Sequence, residues 1–426
     1  MKVLVFNCGS STLKFKLIEL GDEGFGAERE LAGGRVECVG DEKPSVDFSA
    51  EGGESLLEFA DAPDHERACR HVFGWLRSTG LIGAGGPDAV GHRIVHGGRH
   101  FDEPALIDAE VMEVIESLVE LAPLHNGPSL ATIRAARTLL GPSVPMVAVF
   151  DTAFHSAMPE HASRYAIPQW LSRKHHVRRY GFHGTAHRYM TERYSAIVGE
   201  PVEKTKLVTL QLGNGCSAAA VRGGRSVDTS MGFTPLEGLM MGTRCGDLDP
   251  SLVGFLADRE NASVAKVEDW LNKQSGLLGV SGVSRDMKDL LEAEVRGDKR
   301  ASLAVEMFCH RARKYVGSYL SVLGGADAVV FGGGIGENAP EIRARVCDRM
   351  GWCGLEIDTG RNVRAVGVDS RISADNSKIR AYVIAVDEET MIAQDTSRCL
   401  VSHPPASGAR DAPTGERATS LDKQIA

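Results

Sequence analysis

Residues 3–17, VLVFNCGSSTLKFKL, contain the pattern on which the fold prediction rests. An apolar strand at residues 3–6 runs into five small or polar residues, 7–11, and a second strand carrying two lysines follows. An ordinary hairpin needs only two turn residues. Residues 7–11 supply more backbone N–H and hydroxyl donors than a turn requires, and Lys14 follows on the returning strand. This inventory is typical of a loop that binds an anion.

A second stretch repeats the pattern about half a chain later. Residues 207–229, LVTLQLGNGCSAAAVRGGRSVDT, again form an apolar strand, a bare Gly/Asn turn, a second strand and, after Gly223-Gly224, a third. Two unrelated hairpins would be the simpler interpretation. Duplication is favoured because both turns lack bulky side chains and both follow apolar strands. The sequence therefore predicts two halves of related design.

Helical apolar spacing is present at residues 108–121, 127–140, 250–259 and 300–323. Strands and helices therefore alternate along the chain, which predicts an α/β fold. From residue 402 onward the periodicity is lost and Pro, Gly, Ser and charged residues accumulate. This composition predicts a disordered tail.

A third glycine-rich element lies at residues 327–345, DAVVFGGGIGENAPEIRAR. It is predicted as a strand, a glycine loop and a helix with Pro340 in its first turn, an arrangement that suits a phosphate or a ribose. The segment GIGENA also matches G-x-G-x-x-G/A, so a dinucleotide-binding domain is the alternative. The alternative is disfavoured because the match comes late and leaves both hairpin loops unexplained. Neither a Walker-type phosphate loop nor a G-x-S-x-G motif occurs.

The composition is that of an ordinary globular enzyme. Of 426 residues, 42% are hydrophobic and 25% charged, and the net charge of −9 argues against a nucleic-acid partner. No run approaches the roughly 20 apolar residues of a membrane helix, and residues 3–6 are too few for a signal peptide. The nine cysteines include no Cys-x-x-Cys pair and indicate reduced thiols. We therefore predict a cytoplasmic protein without nucleic-acid or membrane partners.

Charged side chains beside glycines form the candidate site. In GHRIVHGGRH, residues 91–100, three histidines are spaced by four, but Gly97-Gly98 interrupts any helix and no H-E-x-x-H occurs, so zinc is not predicted. Arg93 in the same stretch suits a bidentate grip on a carboxylate or phosphate, with a surface salt bridge as the alternative.

Three further residues extend this set. Asp151 ends an apolar strand, where a carboxylate faces a ligand crevice or caps a helix. His183 and Arg244 lie in glycine-flanked loops, although a single histidine in such a loop is more often structural. Together with Arg93 they predict a site for an anionic substrate.

Ordered blocks of sequence then resemble a known family, the acetokinases, across residues 1–398. The blocks are NCGSSTLKF, HRIVHGG, APLHNG, FDTAFH, YGFHGTAH, LGNGCS, MGTRCGDLDP, GGGIGEN and DEETMIAQDT. The resemblance implies an α/β fold of two actin-like ATPase (ribonuclease H-like) domains around a central nucleotide cleft. It implies an N-terminal domain at residues 1–151 plus 385–400, a nucleotide-binding C-terminal domain at 152–384, and a tail at 401–426.

The resemblance also implies an activity: reversible transfer of the ATP γ-phosphoryl group to acetate, with Mg²⁺ or, as the alternative, Mn²⁺. It further implies ATP/ADP as co-substrate and a homodimer as the assembly. The implied site residues fall into four groups. Catalytic residues are Asp151, His183, Arg244, Arg93 and His125; the acetate pocket contains Arg93, Val95, Leu124, Phe182 and Pro235; nucleotide and phosphate contacts come from Ser10, Thr12, Lys14, Gln211, Leu212, Gly213, Asn214, Gly215, Asp286, Met287, Lys288, Gly334, Ile335, Gly336, Glu337 and Asn338; and Asn7 and Glu388 position the metal.

Departures from the family pattern are few. Thr12 replaces a usual serine and keeps its hydroxyl, whereas Lys288 replaces a usual arginine and loses the planar fork. Residues 385–389, AVDEE, differ from the usual Pro-Thr-Asn-Glu-Glu, so Glu389 is the alternative to Glu388. Propionate kinase is the nearest competing function, followed by a non-metabolic actin-like ATPase and, for GIGENA, a dehydrogenase.

Overall fold

The computed structural model describes residues 1–9, 11–21, 28–37, 39, 44–53 and 55–403, without the side chains of residues 123 and 124. The strands of the first sheet are β1 (Lys2–Cys8), β2 (Thr12–Leu20), β3 (Glu28–Glu37), β4 (Ser45–Ala50), β5 (Ser55–Phe59), β6 (Ala89–Ile94), β7 (Ala105–Leu106) and β8 (Met146–Phe150). Those of the second are β9 (Lys206–Leu212), β10 (Cys216–Arg222), β11 (Arg225–Thr229), β12 (Ala328–Gly332), β13 (Ser370–Arg371) and β14 (Arg380–Val383). The helices are α1 (His65–Ser78), α2 (Ala109–Ser117), α3 (Pro123–Leu140), α4 (Glu160–Ser163), α5 (Gln169–His175), α6 (Gly184–Val198), α7 (Ser251–Arg259), α8 (Val264–Lys273), α9 (Gly276–Ser281), α10 (Met287–Val295), α11 (Lys299–Leu323), α12 (Gly333–Asn338), α13 (Pro340–Cys347), α14 (Thr359–Arg364) and α15 (Glu388–Ser402).

The two sheets share one strand arrangement. The first has the order β5-β4-β3-β2-β1-β6-β8-β7 and the second β11-β10-β9-β12-β14-β13. In each, three antiparallel strands (β3-β2-β1 or β11-β10-β9) are followed by two that run parallel to the first strand of the hairpin (β6-β8 or β12-β14). The predictions of an α/β fold and of two related halves are confirmed.

Helix α15 brings the end of the described chain back to its beginning. Val3 and Val5 of β1 pack with Ile392 and Cys399 of α15, while the opposite face of the sheet packs against α1 and α3. The close approach depends on a glycine, because a Cβ on Gly91 of β6 would lie 2.5 Å from Thr396 Oγ1. The return of the C-terminal segment to the first sheet was expected from the family resemblance.

The second sheet is covered on both faces. One face packs against α10, α11 and α13, and the other against α6, which contributes Met190 and Tyr194. Helix α6 also contacts α15 through an ion pair in which Arg188 Nη1 lies 2.8 Å from Asp395 Oδ1. This pair joins a helix of the second sheet to the helix that covers the first.

Helix predictions are confirmed with shifted ends. The predicted helix at 108–121 is α-helical to Ser117 and continues as a 3₁₀ turn, Leu118–Leu121. The helix predicted at 127–140 begins earlier, at Pro123, because proline at the first helical position loses no hydrogen bond. Those predicted at 250–259 and 300–323 are α7 and α11. Helix α15 extends through Ser402, so the predicted tail begins too early, and residues 404–426 lie outside the described residues.

The glycine loop predicted at residues 332–336 is wrong in one respect. These residues form α12, so the first helix after the strand begins at Gly333 rather than at Pro340. Gly333 has a φ of +75°, and a Cβ there would lie 2.7 Å from the Leu212 carbonyl oxygen. Glycine therefore permits a sharp strand-to-helix turn here, which the propensity of glycine for loops concealed.

Two expectations from composition have structural counterparts. Within the described residues, no helix has the length and apolar character that crossing a bilayer requires. All eight cysteines that the structure describes are free thiols.

A buried histidine in the first sheet predicts that the folded protein loses stability in acid. His92 of β6 stacks on Phe6 with ring centroids 5.7 Å apart, its Nε2 has no hydrogen-bond partner among the residues that the structure describes, and burial lowers its pKa to about 3. Below about pH 6.5 His92 is protonated in the unfolded chain but stays neutral in the folded protein. The free energy of unfolding therefore falls as the pH drops. Between pH 7 and 5 we expect His92→Phe to lose about 2 kcal/mol less stability than the parent protein in urea unfolding. Equal losses in both proteins would contradict this assignment.

Candidate active site

Arg93 lies in β6, close to its C-terminal end, and is held by groups from two neighbouring strands. Its Nε donates to Asp151 Oδ1 at 2.9 Å, its Nη2 to Asp151 Oδ2 at 2.5 Å, and its Nη1 to Asn7 Oδ1 at 2.8 Å. Since β1, β6 and β8 run parallel, their carboxyl ends bring these three residues to one edge of the sheet. Both oxygens of Asp151 bond Arg93, which distinguishes Asp151 from the helix cap that the sequence left as an alternative.

The first turn of α15 adds two carboxylates to this edge. The Asn7 amide Nδ2 donates to Glu388 Oε2 at 3.2 Å and to Glu389 Oε1 at 2.9 Å. Glu388 Oε2 also lies 3.9 Å from Arg93 Nη1. Glu388 and its alternative, Glu389, are therefore both next to Asn7.

The pKa shifts of these carboxyl groups run in opposite directions. Burial alone would raise the pKa of Asp151, but the Arg93 guanidinium outweighs it and holds that pKa below its usual range. Burial raises the pKa of Glu388, and although Arg93 opposes this, the charges of Asp151 and Glu389 reinforce it. Three carboxyl groups, those of Asp151, Glu388 and Glu389, therefore share this edge with the Arg93 guanidinium, and Lys14 contributes a smaller positive charge.

The bare turn between β9 and β10 brings a histidine and an arginine together. A Cβ placed on Gly215 would lie 3.4 Å from His183 Nε2 and 3.6 Å from Arg244 Nη1. Its neighbour Gly213 donates its N–H to the Gly215 carbonyl at 3.1 Å, which closes the turn. His183 and Arg244 thus face the same space above a residue without a side chain.

His183 and His125 are neutral at pH 7. His183 immediately precedes α6 with a φ of +57°, and burial lowers its pKa to about 3, with Asp151 opposing the shift and Arg93 and Arg244 adding to it. Burial, followed by Arg244 and Arg93, lowers the pKa of His125 to about 4. At neutral pH both rings therefore act as uncharged hydrogen-bonding groups.

Arg244 lacks the carboxylate that Arg93 has. Its Nη1 donates to the Pro235 carbonyl at 3.1 Å and approaches Met241 Sδ at 3.6 Å, and no ion pair joins it to a described acidic residue. Burial lowers its pKa from the usual value. A partly buried guanidinium without a counterion among the described residues is suited to bind an anion.

Apolar side chains lie beside these charges. Val95 and Phe182 are 5% and 1% exposed and belong to the same buried cluster, and the His96 ring packs against Phe182 at 5.4 Å. Pro235 is half-buried and contacts Arg244 through its carbonyl. The side chain of Leu124 is not among those described. Val95 and Phe182 thus belong to one apolar cluster, Pro235 lies beside Arg244, and the methyl pocket that they are predicted to form stays a prediction.

A cavity of about 790 Å³ opens on the other side of the Gly213–Gly215 turn. Eight predicted nucleotide contacts line it: Gly213, Asn214, Asp286, Met287, Lys288, Gly334, Ile335 and Asn338. Five lining residues were missed by the sequence analysis: Arg285, Leu291, Glu292, Ala339 and Glu341. They lie on or next to helices α10 and α13, where the sequence offered only amphipathic spacing as a signal.

Other predicted nucleotide residues do not line this cavity. Glu337 Oε1 instead accepts from the backbone N–H groups of Gly333 and Val386, so it ties α12 to the segment before α15. Gln211 and Leu212 are the last two residues of β9, Gly215 lies in the turn between β9 and β10, and Gly336 lies in α12. Lys14 is exposed opposite Asn7 in the β1–β2 register, Thr12 begins β2, and Ser10 lies outside the described residues.

The lack of a side chain at Gly215, in the turn between β9 and β10, is predicted to be necessary for activity. Replacing Gly215 with alanine puts a methyl group into the space that His183 and Arg244 face, and we expect kcat/KM to fall by about tenfold or more with little change in melting temperature. Gly317→Ala in α11, where a Cβ meets nothing within 4 Å, is the matched control and should leave activity unchanged. Normal activity in the Gly215 variant would mean that this space is not used.

The metal assignment rests on donor chemistry. Among the described ranges, no three His, Cys, Asp or Glu side chains form a group that could hold a metal ion. Asn7, Glu388 and Glu389 nevertheless supply oxygen donors, which suit a hard divalent cation such as Mg²⁺.

Comparison with known proteins agrees with these features. A model described as the Acetokinase family matches residues 2–394. The chain is 49% identical over 412 residues to the acetate kinase of Solibacter usitatus, covering 95% of this chain and 99% of the relative. It resembles the crystal structure of Porphyromonas gingivalis acetate kinase at a TM-score of 0.86 and 43% identity (94% and 99% coverage), and that of a propionate kinase from Francisella tularensis at 0.86 and 40% (93% and 99%). The predicted fold class is confirmed.

Proposed function

This chain belongs to the acetokinase family, and from that premise we propose that it reversibly transfers the γ-phosphoryl group of ATP to acetate, giving acetyl phosphate and ADP. The observation that carries the proposal is the turn at residues 213–215. Gly213 and Asn214 line the 790 Å³ cavity, while Gly215 adjoins His183 and Arg244. A nucleotide in the cavity would direct its terminal phosphate toward the two charged or hydrogen-bonding groups.

The chemistry needs positioning and charge neutralisation more than proton transfer. Acetate is already ionised at neutral pH, by analogy with side-chain carboxyl groups of pKa about 4, so its attacking oxygen needs no base. Negative charge spreads over the phosphoryl oxygens as the group moves in line between donor and acceptor. Arg93, Arg244 and His183 are the described groups suited to stabilise it.

Asp151 is assigned as a positioning residue. Both of its oxygens bond Arg93, and its pKa lies below the usual range, so it is ionised and already engaged at neutral pH. It therefore orients the Arg93 fork rather than accepting a proton. Val95, Phe182 and Pro235 would surround the methyl group of acetate and exclude water from it.

A divalent cation completes the proposed site. Asn7 and Glu388, with Glu389 beside them, would hold Mg²⁺ or, as the alternative, Mn²⁺. When bound, such an ion neutralises phosphate oxygens and orients the nucleotide. Lys14, Thr12 and Ser10 remain predicted phosphate contacts from the first hairpin loop.

The domain limits remain predictions. We propose a first domain of residues 1–151 plus 385–400 and a second of 152–384. The distribution of strands between two sheets and the packing of α15 on β1, β6 and β8 support this division. A homodimer, a cytoplasmic location and the absence of nucleic-acid and membrane partners are likewise retained as predictions.

Trapping of the acyl phosphate tests the activity. With ATP, Mg²⁺ and acetate, hydroxylamine should convert the product to acetohydroxamate, at a rate that depends on both substrates. An actin-like ATPase would release phosphate from ATP without forming a hydroxamate. A change in nicotinamide absorbance with no ATP-dependent hydroxamate would instead support the dehydrogenase.

Propionate is the second candidate acceptor, since the propionate kinase from Francisella tularensis is 40% identical to this chain. Val95 limits the depth of the proposed methyl pocket. Because one methylene changes selectivity by about 10–200-fold, we expect Val95→Ala to raise the propionate-to-acetate ratio of kcat/KM by roughly tenfold. Competition assays with acetate, propionate and butyrate measure this ratio. An unchanged ratio would show that Val95 does not border the acceptor's alkyl group.

A further inference from the structure

A continuous row of buried polar side chains leads away from His183. His183 Nδ1 lies 2.9 Å from Ser217 Oγ, which lies 2.7 Å from His187 Nε2. His187 Nδ1 lies 2.8 Å from Thr209 Oγ1. Ser217, His187 and Thr209 are fully buried, so each hydrogen atom in this row needs an acceptor within the protein.

The imidazole rings of His183 and His187 are neutral, so each has a single N–H proton. Burial lowers the pKa of His183 to about 3 and that of His187 well below its usual value, and the nearby His155 ring adds to both shifts. A neutral imidazole has one N–H donor and one bare nitrogen acceptor. The Ser217 hydroxyl has one hydrogen and two lone pairs, so it can donate to only one of the two rings.

Two directions of donation use the Ser217 hydrogen within the row. A third pattern, in which both rings donate to Ser217, leaves the buried Ser217 hydrogen without an acceptor, because this hydroxyl has no further hydrogen-bond partner among the described residues. In the first, Thr209 donates to His187, His187 to Ser217, and Ser217 to His183 Nδ1, so the His183 proton lies on Nε2. In the second, every bond is reversed and Nε2 is bare. The reversed direction requires another acceptor for the Thr209 hydroxyl, and this hydroxyl has no further hydrogen-bond partner among the described residues. A buried, unmade hydrogen bond disfavours the second direction.

We propose that Thr209, His187 and Ser217 form a one-way hydrogen-bond chain that holds His183 in the tautomer with its proton on Nε2. This nitrogen faces the space beside Gly215 and Arg244. It then donates a hydrogen bond to the phosphoryl oxygens, whereas the other tautomer presents a lone pair to them and repels them. The inference rests on the proposed function for its catalytic consequence, but the tautomer itself is a property of the free protein.

Imidazole ¹⁵N NMR reads the tautomer directly. In protein labelled at histidine, with the His183 signals assigned by their loss in His183→Gln, we expect a protonated Nε2 and a bare Nδ1 at pH 7. A protonated Nδ1 in the free protein would overturn the proposal. This measurement is independent of whether the protein phosphorylates acetate, so it separates a failure of the chain from a failure of the proposed activity.

Matched variants test the catalytic consequence. Ser217→Ala should lower kcat by about tenfold to a hundredfold with a much smaller change in KM for ATP, and its His183 signals should shift toward a mixture of tautomers. Ser217→Thr, which keeps the hydroxyl, should restore most of the rate. Thr191→Val is the control, because Thr191 Oγ1 is buried and donates to the His187 carbonyl, outside the ring-to-ring chain. If Ser217→Ala keeps the Nε2-protonated tautomer and the same kcat as Thr191→Val, the chain does not position His183.

Discussion

Replacing Arg93 with lysine should lower kcat/KM for acetate by about 1,000-fold and destabilise the protein by about 3 kcal/mol. Arg93 makes two bonds to Asp151 and one to Asn7, and a single ammonium group cannot reproduce this planar fork. Asp151, at 1% exposure, would be left with an incompletely paired charge. Steady-state kinetics and urea unfolding measure the two effects.

The control for this substitution is a bidentate pair on the surface. Arg361 binds both oxygens of the exposed Asp375, at 2.7 Å and 3.0 Å, so Arg361→Lys removes the same geometry where water can replace it. Its activity and stability should stay close to those of the parent protein. If the Arg93 variant has the same activity and stability as the Arg361 variant, Arg93 does not belong to the active site.

Asp151→Asn separates orientation from base catalysis. If Asp151 orients Arg93, the variant loses acetate affinity and rate together, and the parent's pH–rate profile has no limb from this carboxyl group at neutral pH. A variant that binds substrate and metal normally but is inactive would instead assign Asp151 as a base.

Replacing Arg244 with methionine should lower the activity but raise the stability of the protein. We expect kcat/KM to fall by about 100- to 1,000-fold because a charge that faces the phosphoryl group is lost. The free energy of unfolding should rise by about 1 kcal/mol, because the partly buried Arg244 has no carboxylate partner among the described residues and methionine keeps much of its length.

Anion binding provides the second readout for this variant. Inorganic phosphate should raise the melting temperature of the parent protein more than that of Arg244→Met, since ligands stabilise the state that binds them. If Arg244→Met is instead less stable than the parent, the guanidinium serves the fold through Pro235 and Met241 rather than awaiting an anion.

The fold was predictable where the pattern was local. The hairpins β1–β2 and β9–β10 appear in the sequence as apolar strands on either side of bare turns, and the order of strands repeats in both sheets. Helix α12 was missed because glycine propensity indicates a loop, whereas the Gly333 turn is required by the nearby Leu212 backbone. Tertiary contact overrode propensity at this position.

The site was predictable by residue type but not by partnership. Arg93 and Asp151 were both selected from the sequence, but they lie 58 residues apart, and their bidentate pairing was found only from the structure. Ser217 and His187 lie within the blocks LGNGCS and YGFHGTAH, but their hydrogen-bonded row with Thr209 was not predicted, because the row joins three separate segments of the chain. Arg285 and Glu341 were missed because an exposed charged residue on a helix resembles ordinary surface.

The meeting of the two ends of the described chain has a consequence for biosynthesis. Asn7 is 381 residues from Glu388, and the apolar face of β1 is covered by α15. At translation rates of about 5–20 residues per second, a ribosome would need roughly 20–80 s between making the first strand and making its cover. During that interval Val3 and Val5 lack the cover that α15 provides. A nascent chain that ends before Glu388 cannot assemble the proposed catalytic centre.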